Sequence, residues 1–91
     1  MVEDIALIVD DEVPALRVKE LIWRAGGKLL RKVSLFDLFR GEKIGAGKKS
    51  LAYQLTYQAF DRTLSVADAA AIRKKIVKTL SYEIGAVLRD S

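Results

Sequence analysis

Between Lys49 and Gln58 the chain alternates without a fault. Leu51, Tyr53, Leu55 and Tyr57 take one side, and Ser50, Ala52, Gln54 and Thr56 the other. Only an extended strand sends every second residue to the same face. The segment therefore belongs in a sheet with one apolar and one polar face, and the apolar face needs a cover.

The rest of the chain supplies that cover in short elements. Glu3 to Asp10, "EDIALIVD", groups Ile5, Leu7 and Val9 and reads as a strand. Asp10, Asp11 and Glu12 form a turn, since EF-hand spacing is missing. Pro14 suits the first turn of a helix whose buried face is Val18, Leu21, Ile22 and Ala25. Gly26 and Gly27 stop it. A second strand is expected at about Lys32 to Arg40, ahead of the alternating one. Ser65 and Asp68 resemble a capping box that opens a second helix, with Ala69, Ile72, Ile76 and Leu80 inward and Arg73, Lys74, Lys75 and Lys78 mostly outward. Gly85 ends it, and "AVLRD" makes a short last strand.

The order βαββαβ predicts an α+β, ferredoxin-like sandwich: a four-stranded antiparallel sheet with two helices on one face. Its 91 residues, 1–91, suffice for a single domain with one core. No linker, repeat or low-complexity segment interrupts them.

Composition removes several kinds of chemistry. Cysteine and histidine are both absent, which excludes disulfides, thiol nucleophiles, thiolate metal sites and the commonest general base at neutral pH. No apolar run approaches the ~20 residues of a membrane span and no secretory pattern opens the chain, so no membrane partner is expected. A net charge of +4 permits a polyanionic partner without demanding one.

"GEKIGAGKKS", Gly41 to Ser50, looks at first like a phosphate loop. A Walker loop counted from Gly41 needs glycine where Ala46 stands, and Ser or Thr where Lys49 follows Gly47-Lys48. The dinucleotide fingerprint has Ser50 at its third glycine. A strand follows, so no helix N-terminus receives a phosphate. The segment reads as a flexible connection with solvated lysines, of which Lys43, Lys48 and Lys49 are placed to meet a nucleic-acid backbone.

The uncovered face is more informative. With Leu51, Tyr53 and Leu55 inward, Ser50, Ala52 and Gln54 lie open. Alternation leaves Ala6 and Ile8 open on the first strand. On the second it buries Phe36 and Leu38 and exposes Leu35, Asp37 and Phe39; at the end of the last it turns Leu88 in and Arg89 out. Small residues, one ring and one carboxylate among hydroxyl and amide groups suit unstacked bases, held by stacking and read on a polar edge. A carboxylate accepts two N–H bonds from guanine and repels phosphate. The plainer reading stays open on these residues alone: Asp37 caps a turn or pairs with a lysine, and Phe39 is merely exposed.

"SLFDLFRGEKIGAGKKSLAYQLTYQAFDRTLS", Ser34 to Ser65, closely resembles the ferredoxin-fold anticodon-binding domain that closes phenylalanyl-tRNA synthetase beta subunits. That family has Phe-Asp-x-Tyr-Arg-Gly, here Phe36 to Gly41. It continues with Ile-Gly-x-Gly-Lys-Lys-Ser-Leu-Ala, here Ile44 to Ala52, and an acidic-Arg-Thr-Leu-Thr/Ser step, here Asp61 to Ser65. "DIALIVDDEVP" and "GAVLR" match at the two ends, so the likeness covers essentially the whole chain.

The resemblance implies a non-catalytic module of phenylalanine–tRNA ligase that binds the anticodon stem-loop of phenylalanine tRNA in the cytoplasm. The rest of the beta subunit and the alpha subunit are its expected partners. No cofactor is expected in this domain, with ATP and magnesium serving only the full synthetase. The family's base-contacting positions map onto Ala6, Asp37, Phe39 and Ser50, with Gln54 beside them on the open face. Arg40, Lys43, Lys48, Lys49 and Arg89 are the expected phosphate contacts. Tyrosine usually stands where this chain has Phe39, so stacking is kept and a hydroxyl hydrogen bond is lost. The chain is far shorter than a beta subunit and Met1 abuts the first strand, which gives the expectation of an isolated domain without aminoacylation activity.

Leu16 and Trp23 lie seven apart, off the buried stripe of the first helix. They either pack under the chain's own loops or dock on the remainder of the synthetase. The basic residues of the second helix are expected in solvent. Two other functions fit the architecture: a small-molecule regulatory or protein-interaction domain pairing edge to edge, and an acylphosphatase-like hydrolase. The hydrolase would need a phosphate loop where this chain has Asp10, Asp11 and Glu12.

Overall fold

The computed structural model describes residues 1–89. The strand β1 (Val2–Asp10) leads to the helix α1 (Ala15–Gly26), a 3₁₀ turn (Gly27–Leu29) and β2 (Leu30–Phe39); β3 (Lys48–Tyr57), α2 (Val66–Ile84) and β4 (Val87–Leu88) follow. The sheet order is β2-β3-β1-β4, every pairing antiparallel. This is the ferredoxin-like sandwich. The last strand is shorter than the sequence predicts, since only Val87 and Leu88 pair, opposite Ile8 and Leu7; Asp90 lies outside the described residues.

Both helices cover one face. Ile5, Leu7 and Val9 of β1 and Leu51, Tyr53, Leu55 and Tyr57 of β3 meet Val18, Leu21 and Ile22 of α1 and Ile76 and Leu80 of α2 in one buried core. Two polar contacts fix the layers. The Tyr53 hydroxyl donates to the Ala15 carbonyl at the start of α1, 2.8 Å away. Glu3 accepts from the Tyr57 hydroxyl at 2.9 Å and from Arg73 Nη1 of α2 at 2.5 Å. Arg73 is therefore tied to the sheet, contrary to its expected place in solvent, because Glu3 sits opposite Leu55 on the helix-facing side. Burial pushes the Tyr53 phenol up to about 12 and raises Tyr57 further, so both stay neutral donors.

Sequence spacing named the phase of β1 and β3 correctly and that of β2 only in part. Directly opposed residues of an antiparallel pair share a face. Val33 and Leu35 oppose Leu55 and Tyr53, so they point toward the helices. Between Leu35 and Asp37 the register slips by one, with Phe36 as the extra residue. After it Asp37 opposes Ala52, Leu38 opposes Leu51 and Phe39 opposes Ser50. Leu35, expected on the open face, is thus on the helix side. Phe36, expected in the core, is 57% exposed at the bulge, and Leu38 faces inward but remains exposed beyond the helices.

Two local devices set α2. Ser65 Oγ accepts from the Asp68 N–H at 3.1 Å while Asp68 Oδ2 accepts from the Ser65 N–H at 2.9 Å, the reciprocal box expected from the spacing. Gly85 closes the helix at φ +65°, a left-handed conformation that side chains resist.

Deleting Phe36 should remove the slip and keep Val33, Leu35 and Leu38 inward and Asp37 and Phe39 outward, with amide chemical-shift changes concentrated at the former bulge. In chemical denaturation Phe36→Ala should stay within about 0.5 kcal/mol of the parent, as an exposed change. Ser65→Ala should cost about 1 kcal/mol. The Ser65 N–H, with Arg62 nearby, holds the Asp68 carboxyl below its ordinary value, so its contribution exists above that ordinary value and is lost as pH falls. Between about pH 5 and about pH 3, Asp68→Asn should therefore lose less stability than the parent in urea titrations.

Candidate nucleic-acid interface

Among the described residues, no helix or strand covers the face away from the helices. Cross-strand pairing arranges it in rows. Phe39, Ser50, Ile8 and Val87 form one, and Asp37, Ala52 and Ala6 the next. Ser34, Gln54 and Asp4 follow, then Lys32, Thr56 and Val2. The sheet edges are about 15 Å apart at the usual interstrand spacing. Ala6 and Ala52 make a flat floor in the middle, so a planar group can approach the backbone there.

Phe39 stands at one end of this floor, 46% exposed. Across the sheet, the Arg89 N–H donates to the Ala6 carbonyl at 2.8 Å, extending the ladder one residue past β4. Its side chain then crosses β1. Arg89 Nη1 lies 3.4 Å from Ser50 Oγ, and its guanidinium carbon 5.6 Å from the Phe39 ring centroid. Ser50 is buried under it. The structure thus joins Phe39, Ser50 and Arg89 into one cluster, with Arg89 beside the ring. Asp37, one row along, is exposed and makes no ion pair among the described residues. It caps no turn, since it lies within β2. Gln54 is exposed one row further.

Asp4 and Ser34 share this face with Gln54, and the sequence reading passed over both. Asp4 was legible, two residues before Ala6 in the same alternation. Ser34 was not, because its face depends on the slip at Phe36.

The basic residues are less free than the sequence suggests. Lys49 opposes Val9, so it points to the helix side and is only 6% exposed. This corrects its reading as a solvated phosphate contact: alternation from Leu51 carries it inward. Arg40 Nε donates to Asp11 Oδ1 at 2.6 Å, and the Lys48 ammonium pairs with Asp10. The hydrogen bond from Arg40 is the main reason the Asp11 carboxyl sits below its ordinary range. The connection after β2 is also more ordered than a loose loop. Ile44 is buried, and its N–H and that of Gly45 both donate to the Gly41 carbonyl. Lys43 is exposed on that loop and makes no ion pair among the described residues.

Leu16 and Trp23 lie on the outer side of α1, 65% and 38% exposed, so the chain's own loops leave Leu16 uncovered. Among the described residues, no group of three or more metal-ligating side chains comes together, and no helix is long and apolar enough to cross a membrane.

Comparison with known proteins agrees with this architecture. The family model described as "Ferredoxin-fold anticodon binding domain" matches residues 1–89. The phenylalanine–tRNA ligase beta subunit of Clostridium tetani is 45% identical over 86 residues, covering 94% of this chain and 11% of that protein. The beta subunit of Geobacillus kaustophilus is 43% identical over 89 residues, 98% of this chain and 11% of the relative. That of Streptomyces avermitilis is 44% identical over 88 residues, again with 11% of the relative covered. The chain spans about a tenth of the length of these relatives, and it belongs to the ferredoxin-fold anticodon-binding domain family.

Proposed function

We propose that this domain is the tRNA-binding module of a cytoplasmic phenylalanine–tRNA ligase and that its bare sheet face holds unpaired bases of the phenylalanine-tRNA anticodon loop. Aminoacylation, with its ATP and magnesium, belongs to other parts of such a ligase, including the alpha subunit. The observation that carries this reading is the position of Asp37: a carboxylate without an ionic partner among the described residues, beside a flat alanine floor and one row from an exposed ring. A base stacked on Phe39 is held by dispersion and desolvation whatever its identity. A neighbouring carboxylate discriminates, because it accepts from a base edge carrying two N–H donors and repels a phosphate or a carbonyl edge. Arg89, beside the same ring, can follow the chain's phosphate, while Ser50, buried beneath it, holds the guanidinium in place instead of reaching a base. Family membership and the beta-subunit relatives support the same assignment.

Asp37→Ala should weaken binding of the cognate anticodon stem-loop by about 10- to 100-fold, the size of one lost specific contact, and leave a scrambled loop unchanged in fluorescence titration. Equal loss for both RNAs would remove Asp37 from base reading. Phe39→Ala should weaken both RNAs by about 1–3 kcal/mol, while Phe39→Tyr keeps the ring and the affinity. Saturable binding of free phenylalanine, with no RNA binding, would instead favour a regulatory domain.

A further inference from the structure

Two of the cations nearest the proposed RNA face are already matched by carboxylates of the same chain. Asp10 and Asp11 end β1 and begin the turn to α1, whereas Arg40 and Lys48 flank the loop joining β2 to β3. Arg40–Asp11 and Lys48–Asp10 span 29 and 38 residues of sequence. They border a pocket of about 300 Å³ lined by Asp11, Arg40, Gly41, Glu42, Gly45 and Lys48. Glu42 adds a third carboxylate at its rim. All four paired side chains are about half exposed, so a phosphate can reach the cations. The acids are also held by the backbone: the Asp11 N–H donates to the Gly47 carbonyl at 2.8 Å. Neutralising the side chains therefore leaves the two loops joined.

We propose that Asp10 and Asp11 are specificity-determining residues, internal counter-ions that deny Lys48 and Arg40 to nucleic-acid phosphates so that tight binding requires the base-reading face. The inference rests on the RNA-binding reading above. An unpaired lysine or arginine meeting a phosphate releases a condensed counterion from the RNA, which drives sequence-independent binding and its salt dependence. A cation taken from a carboxylate leaves that carboxylate bare. It then recruits a cation from solution, and the counterion gain cancels. Exposed pairs are individually weak, so the phosphate contact still forms when bound bases place it. It contributes little on its own.

The test compares Asp10→Asn, Asp11→Asn and the double variant with the parent, using single-stranded oligouridine and the phenylalanine-tRNA anticodon stem-loop over a salt series. The double variant should bind oligouridine roughly 3- to 10-fold tighter at low salt. Its log–log salt slope should steepen by about 1.4, or about 0.7 per released cation, and its preference for the stem-loop should fall. Unchanged or weaker oligouridine binding would make the pairs loop staples and overturn the proposal. Arg40→Gln gives a second reading that leaves the acids intact. It should change oligouridine affinity less than about 2-fold in the parent yet abolish the gain in the Asp11→Asn background; a large loss in the parent overturns the proposal as well. If the parent fails to prefer the stem-loop, the tRNA assignment fails, while the acid effect on oligouridine is still measured.

Discussion

One extra residue in an edge strand decides what this sheet offers to a partner. From Val33 and Leu35, which face the helices, unbroken alternation would carry Asp37 and Phe39 inward as well. The slip at Phe36 reverses the phase, so that Leu38 takes the inner side and Asp37 and Phe39 the outer. The bulge thereby creates the site.

The two faces divide the polar work between them. On the helix side the two phenols and Glu3 are matched: Tyr53 with Ala15, and Tyr57 and Arg73 with Glu3. No buried side-chain donor or acceptor is left unmatched among the described residues. Those contacts lock the sheet against the helices and make it a rigid plate. On the outer face Asp4, Asp37 and Gln54 are left in water among alanines and a ring, a pattern suited to a ligand that brings its own donors. The charge distribution agrees. Although the chain carries +4, Arg40, Lys48, Arg62 and Arg73 are each paired with an acid. The cations bordering the bare face, Arg40 and Lys48, are among them, which favours recognition by base contacts over phosphate attraction.

Most of the fold was legible because it rests on local rules. The strand at Leu51 to Tyr57, the buried stripe of α1, the Ser65–Asp68 box and the glycine stop at Gly85 each follow from residues close in sequence, and each stands as read. What escaped depends on partners far along the chain. The phase of β2 is set by hydrogen bonds to β3, and the pairing of Asp10 and Asp11 across to Lys48 and Arg40 leaves no trace in either segment alone. Lys49 lay between the two cases. Its alternation with Leu51 was visible, but the lysine-rich run around it argued for solvent, and the strand register prevailed.

The central claim is that the bare face, and not the helix layer, meets RNA. Amide chemical-shift mapping during titration with the phenylalanine-tRNA anticodon stem-loop tests it most directly. The account predicts saturable shifts at Ala6, Asp37, Phe39, Ser50, Ala52 and Arg89, with the outer surfaces of α1 and α2 unmoved. Shifts concentrated on Lys74, Lys75 and Lys78, with the sheet face silent, would contradict it.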